Sequence, residues 1–258
     1  MKIVGVIPAH MASVRFPGKI LFKLHGLPMI EHVRRRALMS KSLADVIVAT
    51  CDESIASVIR GFGGKVMMTA DTHKNGTTRV AEAIHNIDCS HVILLQGDEP
   101  LLLPRHVDHF ASAISIDQSS DAWNATGSIE SLEELDRHSF VKCVVDKQDQ
   151  ILLCFRRSPF YSNINVQQSF VRKILGIIAY KKNFLIKLTG LLPSQIEKAE
   201  FIEQMRIIEN GYSMRSISVY PSLPSINEPD EVKTVLSYIQ SNDEQKKILE
   251  KVVLFKLV

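Results

Sequence analysis

The chain has 258 residues, of which 45% are hydrophobic and 23% are charged, and its formal net charge is +3 at pH 7. These values are typical of a globular protein with a normal core and exclude both a disordered chain and a strongly basic protein, so we expect no nucleic-acid partner. No run of 18 apolar residues is present, and the short apolar N-terminus ends at Pro8. We therefore expect no membrane span, no signal peptide and a cytoplasmic location.

The first half of the chain alternates predicted strands with predicted helices. Strands are predicted at 3–7, 46–49, 66–68 and 91–96, and amphipathic helices at 28–37, 55–59 and 80–87. This order predicts an α/β fold with a mostly parallel, Rossmann-like sheet, helices on both faces, and a binding crevice at the carboxyl ends of the strands. The run Arg34-Arg35-Arg36 lies in the first helical pattern, where we expect it to form a solvated face.

The second half mixes strands and helices and predicts a smaller mixed β insertion. Strands are predicted at 141–146, 174–180 and 215–220, with a helix at 195–210 whose buried stripe is Ile202, Met205 and Ile208. No linker rich in Pro, Gly or Ser is present, so we expect one domain over residues 1–240. In the remaining tail, 241–258, Ser241 and Glu244 form a capping-box pattern that predicts a helix packed on the body or on a second subunit.

The chain has four cysteines, at positions 51, 89, 143 and 154. They form no C-x-x-C pair, which argues against a zinc site and against a disulfide framework. Cys89 borders a turn, and the other three lie in or beside apolar strands, where we expect buried free thiols; we assign no role to any of the four.

A loop from Pro8 to Lys19 follows the first predicted strand. A bound triphosphate requires backbone N–H groups on a tight loop together with cations, and Arg15 and Lys19 place two cations four residues apart. The loop lacks the glycine pattern of a P-loop. Spacing alone leaves a solvated loop without ligand as an open alternative.

Two further turns lie where a ligand could reach them. Gln96–Pro100 is an acidic turn at the end of a strand, where Asp98 could hold Mg²⁺ against nucleotide phosphates or could simply cap a helix. Asn75–Arg79 leads into a helix and could approach a base or phosphate closely, or could act only as a cap. Both alternatives stay open from the sequence.

The predicted helix at 195–210 carries a polar segment, Glu197–Arg206. Glu200 and Glu203 lie three residues apart and would face the same way on a continuous helix, with Gln204 beside them. The segment could contact a polar ligand, but a solvated face would show the same pattern.

Taken in order, these segments resemble the motifs of the 3-deoxy-manno-octulosonate (KDO) cytidylyltransferases, also called CMP-KDO synthetases, within the sugar-acid cytidylyltransferases. The resemblance covers about residues 2–240 and does not include the tail after Ser241. The matching segments are Ile7–Lys19, Asn75–Glu82, Gln96–Pro100, Phe155–Arg157, Leu175–Ile177 and Glu197–Arg206.

The resemblance implies a nucleotidyltransferase fold and transfer of CMP from CTP to KDO or a related 3-deoxy-2-ulosonic acid, with release of pyrophosphate. It also implies Mg²⁺ as cofactor, a homodimer and a place in lipopolysaccharide biosynthesis. By resemblance, the CTP-binding residues are Ala9, His10, Arg15, Lys19, Asn75, Gly76, Arg79 and Gln96. The sugar acid would contact Arg157, Glu203 and Gln204, the metal would bind Asp98 and Asn227, and the catalytic residues would be Lys19 and Asp98.

Several positions depart from the family pattern. His10 replaces an arginine, Thr78 a glutamate, and Asn227 the second metal aspartate, while Ile174 and Ile178 replace a histidine and a tyrosine. Asparagine offers only a neutral carbonyl oxygen, so Mg²⁺ affinity should fall, and Asn227 could instead be a helix N-cap. Ile174 and Ile178 lie four apart on one predicted strand and should face the same side. We therefore predict slower turnover with KDO than with a less polar, amino- or acyl-substituted ulosonic acid.

Two alternative functions remain beside the enzyme. The departures at His10, Ile174 and Asn227 would also suit a catalytically impaired homologue with a binding role. A sugar-1-phosphate nucleotidyltransferase is disfavoured because the opening loop lacks the glycine-rich signature of that class.

Overall fold

The computed structural model describes residues 1–255, which fall into two compact units. The first unit contains residues 1–111 and the C-terminal segment from Leu223, and the second contains Ser112–Ser222. Within residues 1–255, no helix is both long enough and apolar enough to cross a bilayer.

The first unit is built on a parallel sheet with the strand order β6-β1-β4-β5. Up to the middle of α4, its elements are β1 (Ile3–Ala9), β2 (Lys23–Leu24), β3 (Leu27–Pro28), α1 (Met29–Leu38), β4 (Asp45–Thr50), α2 (Glu53–Gly61), β5 (Lys65–Met68), α3 (Gly76–Ala83), β6 (His91–Leu95) and α4 (Pro104–Ile116). Every residue of β1 is buried, as expected for a central parallel strand rich in β-branched residues. The predicted fold class, an α/β protein with a mostly parallel sheet, is confirmed.

The second unit is mainly antiparallel. Its elements are β7 (Ala122–Gly127), α5 (Leu132–Asp136), β8 (Lys142–Val145), β9 (Ile151–Phe155), α6 (Ile164–Gln167), β10 (Val171–Lys181), α7 (Lys182–Thr189), α8 (Gln195–Glu200), α9 (Gln204–Glu209) and β11 (Met214–Ser218). Antiparallel pairs join β7 to β10, β10 to β8 and β8 to β9, whereas β11 runs parallel to β7. This unit is the smaller mixed β part that the sequence predicts.

The predicted helix at 195–210 is two helices in the structure. Phe201 adopts a left-handed conformation with φ 55° and ψ 46°, which ends α8 before α9 begins. The prediction of one continuous helix was therefore wrong, and Glu200 and Glu203 do not share a helical face. The buried stripe also differs, since Ile207 is buried and Ile208 is only half-buried.

Cys143 and Cys154 are direct partners across β8 and β9, and both are buried. Burial raises the pKa of the Cys143 thiol to about 12 and that of Cys154 well above its ordinary value. These thiols stay protonated and are poor nucleophiles and poor metal ligands.

The C-terminal segment forms two helices of the first unit, α10 (Glu231–Ser241) and α11 (Asp243–Val253). The predicted capping box was wrong, because Ser241 ends α10, and Asn242 caps α11 by accepting a 3.0 Å bond from the Gln245 N–H. The tail packs on the body through α1, where Arg35 donates to the Val252 carbonyl at 2.7 Å. The last three residues of the predicted tail, 256–258, lie outside the described residues.

The three arginines of α1 are buried, so the predicted solvated face was wrong. Arg34, Arg35 and Arg36 are 2%, 5% and 0% exposed. Glu31, one turn earlier, binds Arg34 at 2.6 Å and Arg35 at 2.8 Å. Arg36 donates to Gln245 of α11 at 2.8 Å. A buried charge is tolerated only with such partners, and α11 supplies both the cover and part of the hydrogen bonding.

His32 also lies in this buried region of α1 and is fully buried. Its Nε2 lies 2.7 Å from the Leu24 carbonyl oxygen, and its Nδ1 has no partner. The ring is therefore the neutral tautomer that carries its proton on Nε2 and donates it to Leu24. Burial, assisted by the nearby charge of Arg36, lowers the pKa of His32 to about 4.

Candidate active site

A cleft of about 300 Å³ opens in the first unit where β1 and β6 end and α3 begins. Carboxyl ends of parallel strands are the usual position for ligands in α/β sheets. All the residues predicted to bind CTP line this cleft, and so does Asp98: Ala9, His10, Arg15, Lys19, Asn75, Gly76, Arg79, Gln96 and Asp98. The structure thus brings together residues from three separate stretches of the chain.

Local backbone structure positions the opening loop. Gly18 is left-handed, with φ 68°, and starts a short 3₁₀ turn at Lys19. At the other end of the loop, the Met11 N–H donates to Asp52 at 2.9 Å. These contacts direct Lys19 towards Asp98, and the two side chains form an ion pair at 2.5 Å, being 12% and 21% exposed.

Asp98 belongs to a turn rather than to a helix start. The helix α4 begins only at Pro104, so the alternative that Asp98 is an N-cap was wrong. At Gly97 a Cβ atom would lie 3.1 Å from Ile20 and 3.5 Å from the Pro8 carbonyl oxygen. Glycine therefore allows the turn to lie close to the opening loop, with the carboxylate beside Lys19.

Asn227 adjoins the same cations. Its Oδ1 accepts from Arg15 at 3.4 Å, and Lys19 lies 3.4 Å from the preceding carbonyl, that of Ile226. The helix α10 has Asp230 as its N-cap, so the alternative that Asn227 caps this helix was wrong. Its backbone N–H instead donates to Glu231 at 2.6 Å, which holds the segment in place.

The start of α3 forms another wall of the cleft. Asn75 caps the helix, since its Oδ1 accepts from the backbone N–H of Thr78 at 2.9 Å. The turn therefore caps α3, and because Asn75 also lines the cleft, its capping role does not preclude contact with a ligand. At Gly76 a Cβ atom would lie 3.0 Å from the ring of Pro8, so glycine lets this turn approach the end of β1.

Arg79 lies one turn into α3 and is 4% exposed. Its guanidinium donates to the Thr69 hydroxyl at 2.6 Å and to the Ala70 carbonyl at 3.3 Å. These bonds fix the orientation of a cation in the cleft wall, which reduces the entropy lost when a ligand binds.

Sequence reasoning missed three polar residues of the cleft, Ser13, His73 and Lys74. His73 is held by a contact of its Nε2 with Glu82, which also accepts from the Ala70 N–H. The bond from His73 lowers the pKa of Glu82. Their position in the sequence could have indicated that His73 and Lys74 line the cleft, because both directly precede the turn Asn75–Arg79.

The cleft is electrostatically suited to a polyanion. Its lining includes four permanent cations, Arg15, Lys19, Lys74 and Arg79, and one carboxylate, Asp98. Clustered cations in a concave site attract and hold phosphate groups.

The donor set beside Lys19 also suits a hard cation. Asp98 provides carboxylate oxygens and Asn227 an amide oxygen, and Mg²⁺ characteristically takes one or two protein carboxylates and completes its shell with water and phosphate. Among residues 1–255, no group of three or more His, Cys, Asp or Glu side chains could hold a metal by itself. The residues present therefore fit a metal held jointly with nucleotide phosphates.

The three residues predicted to bind the sugar acid belong to the second unit. Gln204, at the start of α9, donates to the Asn124 side chain at 3.1 Å, and Asn124 donates to the Leu175 carbonyl at 2.9 Å. Gln204 is thus linked by hydrogen bonds, through Asn124, to β7 and to Leu175 of β10. Glu203 is half-buried just before α9, and Arg157 is exposed after β9. No described contact joins Arg157 to the other two.

The strand β10 is irregular between Ile174 and Ile178. Ile174 pairs with Thr126 and Ile178 pairs with Asn124, so a step of four residues on β10 faces a step of two on β7. Simple alternation therefore fails here, and Ile178 is buried whereas Ile174 is half-buried. The prediction that both side chains line one face assumed a regular strand, which this bulge contradicts.

Comparisons with known proteins identify the family of this chain. A family described as Cytidylyltransferase matches residues 4–217. Two relatives named 3-deoxy-manno-octulosonate cytidylyltransferase are similar to the chain. The protein from Geobacter metallireducens is 35% identical over 92% of this chain and 97% of its own length. The one from Escherichia coli is 36% identical over 88% and 92%.

A solved structure, that of CMP:2-keto-3-deoxy-manno-octonic acid synthetase complexed with CTP, superposes with a TM-score of 0.87. It is 34% identical and covers 93% of this chain and 99% of the other. A cytidylyltransferase from Leptospira borgpetersenii shares the fold, with a TM-score of 0.65 at 15% identity. The chain therefore belongs to the cytidylyltransferase family, in the group of the 3-deoxy-manno-octulosonate cytidylyltransferases.

Proposed function

We propose that this protein transfers CMP from CTP to a 3-deoxy-2-ulosonic acid, with KDO as the reference substrate, and releases pyrophosphate. The observation that carries the proposal is the cleft that gathers every predicted CTP-binding residue at the ends of β1 and β6. The relatives named for this reaction support it, as does the similar structure that was solved with CTP.

In this proposal the cations of the cleft hold the triphosphate. Arg15 and Lys19 come from the opening loop and Arg79 from α3, so they approach the phosphates from separate elements. Their charge offsets the negative charge that develops when the anomeric hydroxyl of the sugar acid attacks the α-phosphate and pyrophosphate leaves. Gln96, Asn75 and the backbone near Ala9 would contact the remaining nucleotide.

Asp98 and Asn227 would hold Mg²⁺ in this proposal. When bound, the metal supplies charge neutralisation on the phosphate oxygens. The ion pair with Lys19 keeps the Asp98 carboxylate next to the phosphate-binding cation before the nucleotide arrives. The neutral amide of Asn227 contributes less than an aspartate would, so we expect the metal affinity to be modest.

The sugar acid would be recognised by the second unit. The exposed guanidinium of Arg157 can pair with the carboxylate of the substrate. The amide of Gln204 is oriented by Asn124, which favours a directed hydrogen bond to a hydroxyl. Glu203, beside it, would accept from another hydroxyl.

We also propose that residues 1–240 act as one nucleotidyltransferase domain, because the matched residues 4–217 run through both compact units. A homodimer in the cytoplasm is part of the same proposal, in keeping with the family resemblance. Light scattering of the purified protein measures the mass and separates a dimer from a monomer.

The test is a steady-state assay of pyrophosphate release with CTP, Mg²⁺ and a panel of sugar acids that includes KDO. Release that requires both CTP and a sugar acid supports the enzyme. The alternative, a catalytically impaired homologue, has the replacements His10, Ile174 and Asn227 in its favour. CTP binding without turnover of any acid in the panel would support that alternative and contradict the enzymatic proposal.

A further inference from the structure

Lys74 lies in the cleft but belongs to none of the segments that the sequence singled out. It precedes the α3 cap Asn75, is exposed, and has no hydrogen-bond or ion-pair partner among residues 1–255. The other permanent cations of the lining are already engaged: Lys19 by Asp98, Arg15 by Asn227 and Glu228, and Arg79 by Thr69. Lys74 therefore differs from them in having its ammonium group available to a ligand.

The backbone on both sides of Lys74 is anchored. His73 is held by Glu82, and Asn75 is held by its capping bond to Thr78. Lys74 thus projects from a fixed turn rather than from a free loop. A cation on a fixed backbone loses less conformational entropy when a ligand binds.

The same turn lies against the opening loop. Gly76, two residues after Lys74, approaches Pro8 so closely that a Cβ atom would lie 3.0 Å from the proline ring. His10 follows Pro8 by two residues, lines the same cleft and has no partner among the described residues. Lys74 and His10 therefore enter the cleft from two segments that are in contact beside it.

We infer that Lys74 is a binding residue for the nucleotide triphosphate and supplies the positive charge that the opening loop lacks at His10. The family motif has an arginine at that position, and the imidazole of a histidine does not provide the permanent, forked cation of a guanidinium. A lysine on the adjoining turn restores a permanent charge to the same cleft without changing the opening loop. This inference rests on the proposed function.

The experiment is calorimetric titration at pH 8 with CTP and with cytidine as the probes. Lys74→Ala should weaken CTP binding by about five- to twentyfold, less than the loss of a buried charge-assisted bond because Lys74 is exposed. Binding of cytidine, which has no phosphate, should be unchanged. Lys41→Ala, an exposed lysine outside the cleft, is the matched control and should stay within about twofold of the wild type for CTP.

A rescue variant tests the compensation directly. Added to Lys74→Ala, His10→Arg should recover most of the lost CTP affinity. Added to the wild type, it should raise the CTP affinity less, because Lys74 already supplies a permanent charge there. Equal CTP affinity for Lys74→Ala and the wild type would overturn the inference. So would a loss of cytidine affinity as large as the loss of CTP affinity. A third contradicting result is a double variant, Lys74→Ala with His10→Arg, that unfolds at the wild-type temperature but recovers no CTP affinity. If the wild type itself does not bind CTP, the proposed function fails first and this inference fails with it.

Discussion

Replacing Lys19 by alanine changes two interactions in the cleft. Lys19 lines the cleft as a phosphate-binding candidate, and its ammonium group forms the 2.5 Å ion pair with Asp98. Without Lys19, the phosphates lose a cation, and Asp98 becomes an unpaired carboxylate close to them. Both changes oppose CTP binding.

The magnitude follows from the burial of the pair. A hydrogen bond to a charged group contributes about 1.5–3 kcal/mol, and the side chain of Lys19 is only 12% exposed, so little is lost to solvent screening. We therefore expect Lys19→Ala to raise the Kd for CTP about 10- to 150-fold. The loss should be larger in EDTA than in Mg²⁺, because a metal on Asp98 would neutralise the carboxylate that Lys19 leaves behind.

Calorimetric titration of CTP into the wild type, Lys19→Ala, Asp98→Asn and the double variant measures these effects. In EDTA, Asp98→Asn should recover part of the affinity that Lys19→Ala loses, since it removes the unpaired charge. Lys23→Ala, an exposed lysine four residues away and outside the cleft lining, is the matched control. Unchanged CTP affinity in Lys19→Ala would refute the assignment of the opening loop, and additive effects in the double variant would refute the electrostatic coupling.

Three further predictions concern metal, pH and the sugar. Asn227→Asp adds a carboxylate beside Arg15 and should lower the Mg²⁺ concentration for half-maximal turnover. His32 has a pKa of about 4 in the folded protein and near 6.5 in the unfolded chain. Because the unfolded chain therefore binds a proton more readily, the free energy of unfolding is highest above pH 6.5 and falls by about 3 kcal/mol as the pH drops towards 4. Chemical denaturation should show a shallower pH dependence for His32→Gln, which does not titrate. Even without a shared face on the bulged strand β10, Ile174 and Ile178 remove the hydrogen-bonding groups of a histidine and a tyrosine, so kcat/KM should be lower for KDO than for a less polar, amino- or acyl-substituted ulosonic acid.

Each of these predictions has an outcome that contradicts it. Asn227 takes no part in metal binding if Asn227→Asp leaves the Mg²⁺ dependence untouched while Asp98→Asn abolishes turnover. Parallel pH profiles of unfolding free energy for the wild type and His32→Gln would mean that His32 is not the group that titrates. A kcat/KM for KDO as high as for any other acid in the panel would show that the two isoleucines do not restrict the pocket.

Hydrophobic periodicity predicted the elements of the first unit well. The strands and helices around residues 3–95 formed near the expected positions, because each short apolar run or amphipathic stripe specifies its own conformation. The alternating order of strands and helices predicted the parallel sheet. Since the carboxyl ends of parallel strands meet at one edge, the motifs after β1 and β6 were expected to converge, and Lys19 and Asp98 do form a pair.

Hydrophobic periodicity failed to predict the structure where backbone geometry or residues distant in the sequence determine it. Phe201 breaks the predicted helix at 195–210, although the local pattern of apolar residues does not mark that site. Two extra residues bulge from β10 between Ile174 and Ile178, and Gly176 was the only local signal for that bulge. Lys74 illustrates the same limit in the cleft, because its place in the lining depends on the contact of its turn with Pro8, which is far away in the sequence.

The sequence by itself determined the fold class, because the class depends on local periodicity and on the order of strands and helices, while the resemblance to the family singled out the three stretches that line the cleft. Only the tertiary structure decided the burial of the arginines in α1. The local sequence pattern predicts a charged, solvated helix face. Arg36 is nevertheless fully buried and donates to Gln245, which lies 209 positions further along the chain. A charged side chain is buried or solvated according to whether partners are brought to it, and those partners are positioned by folding rather than by neighbouring residues.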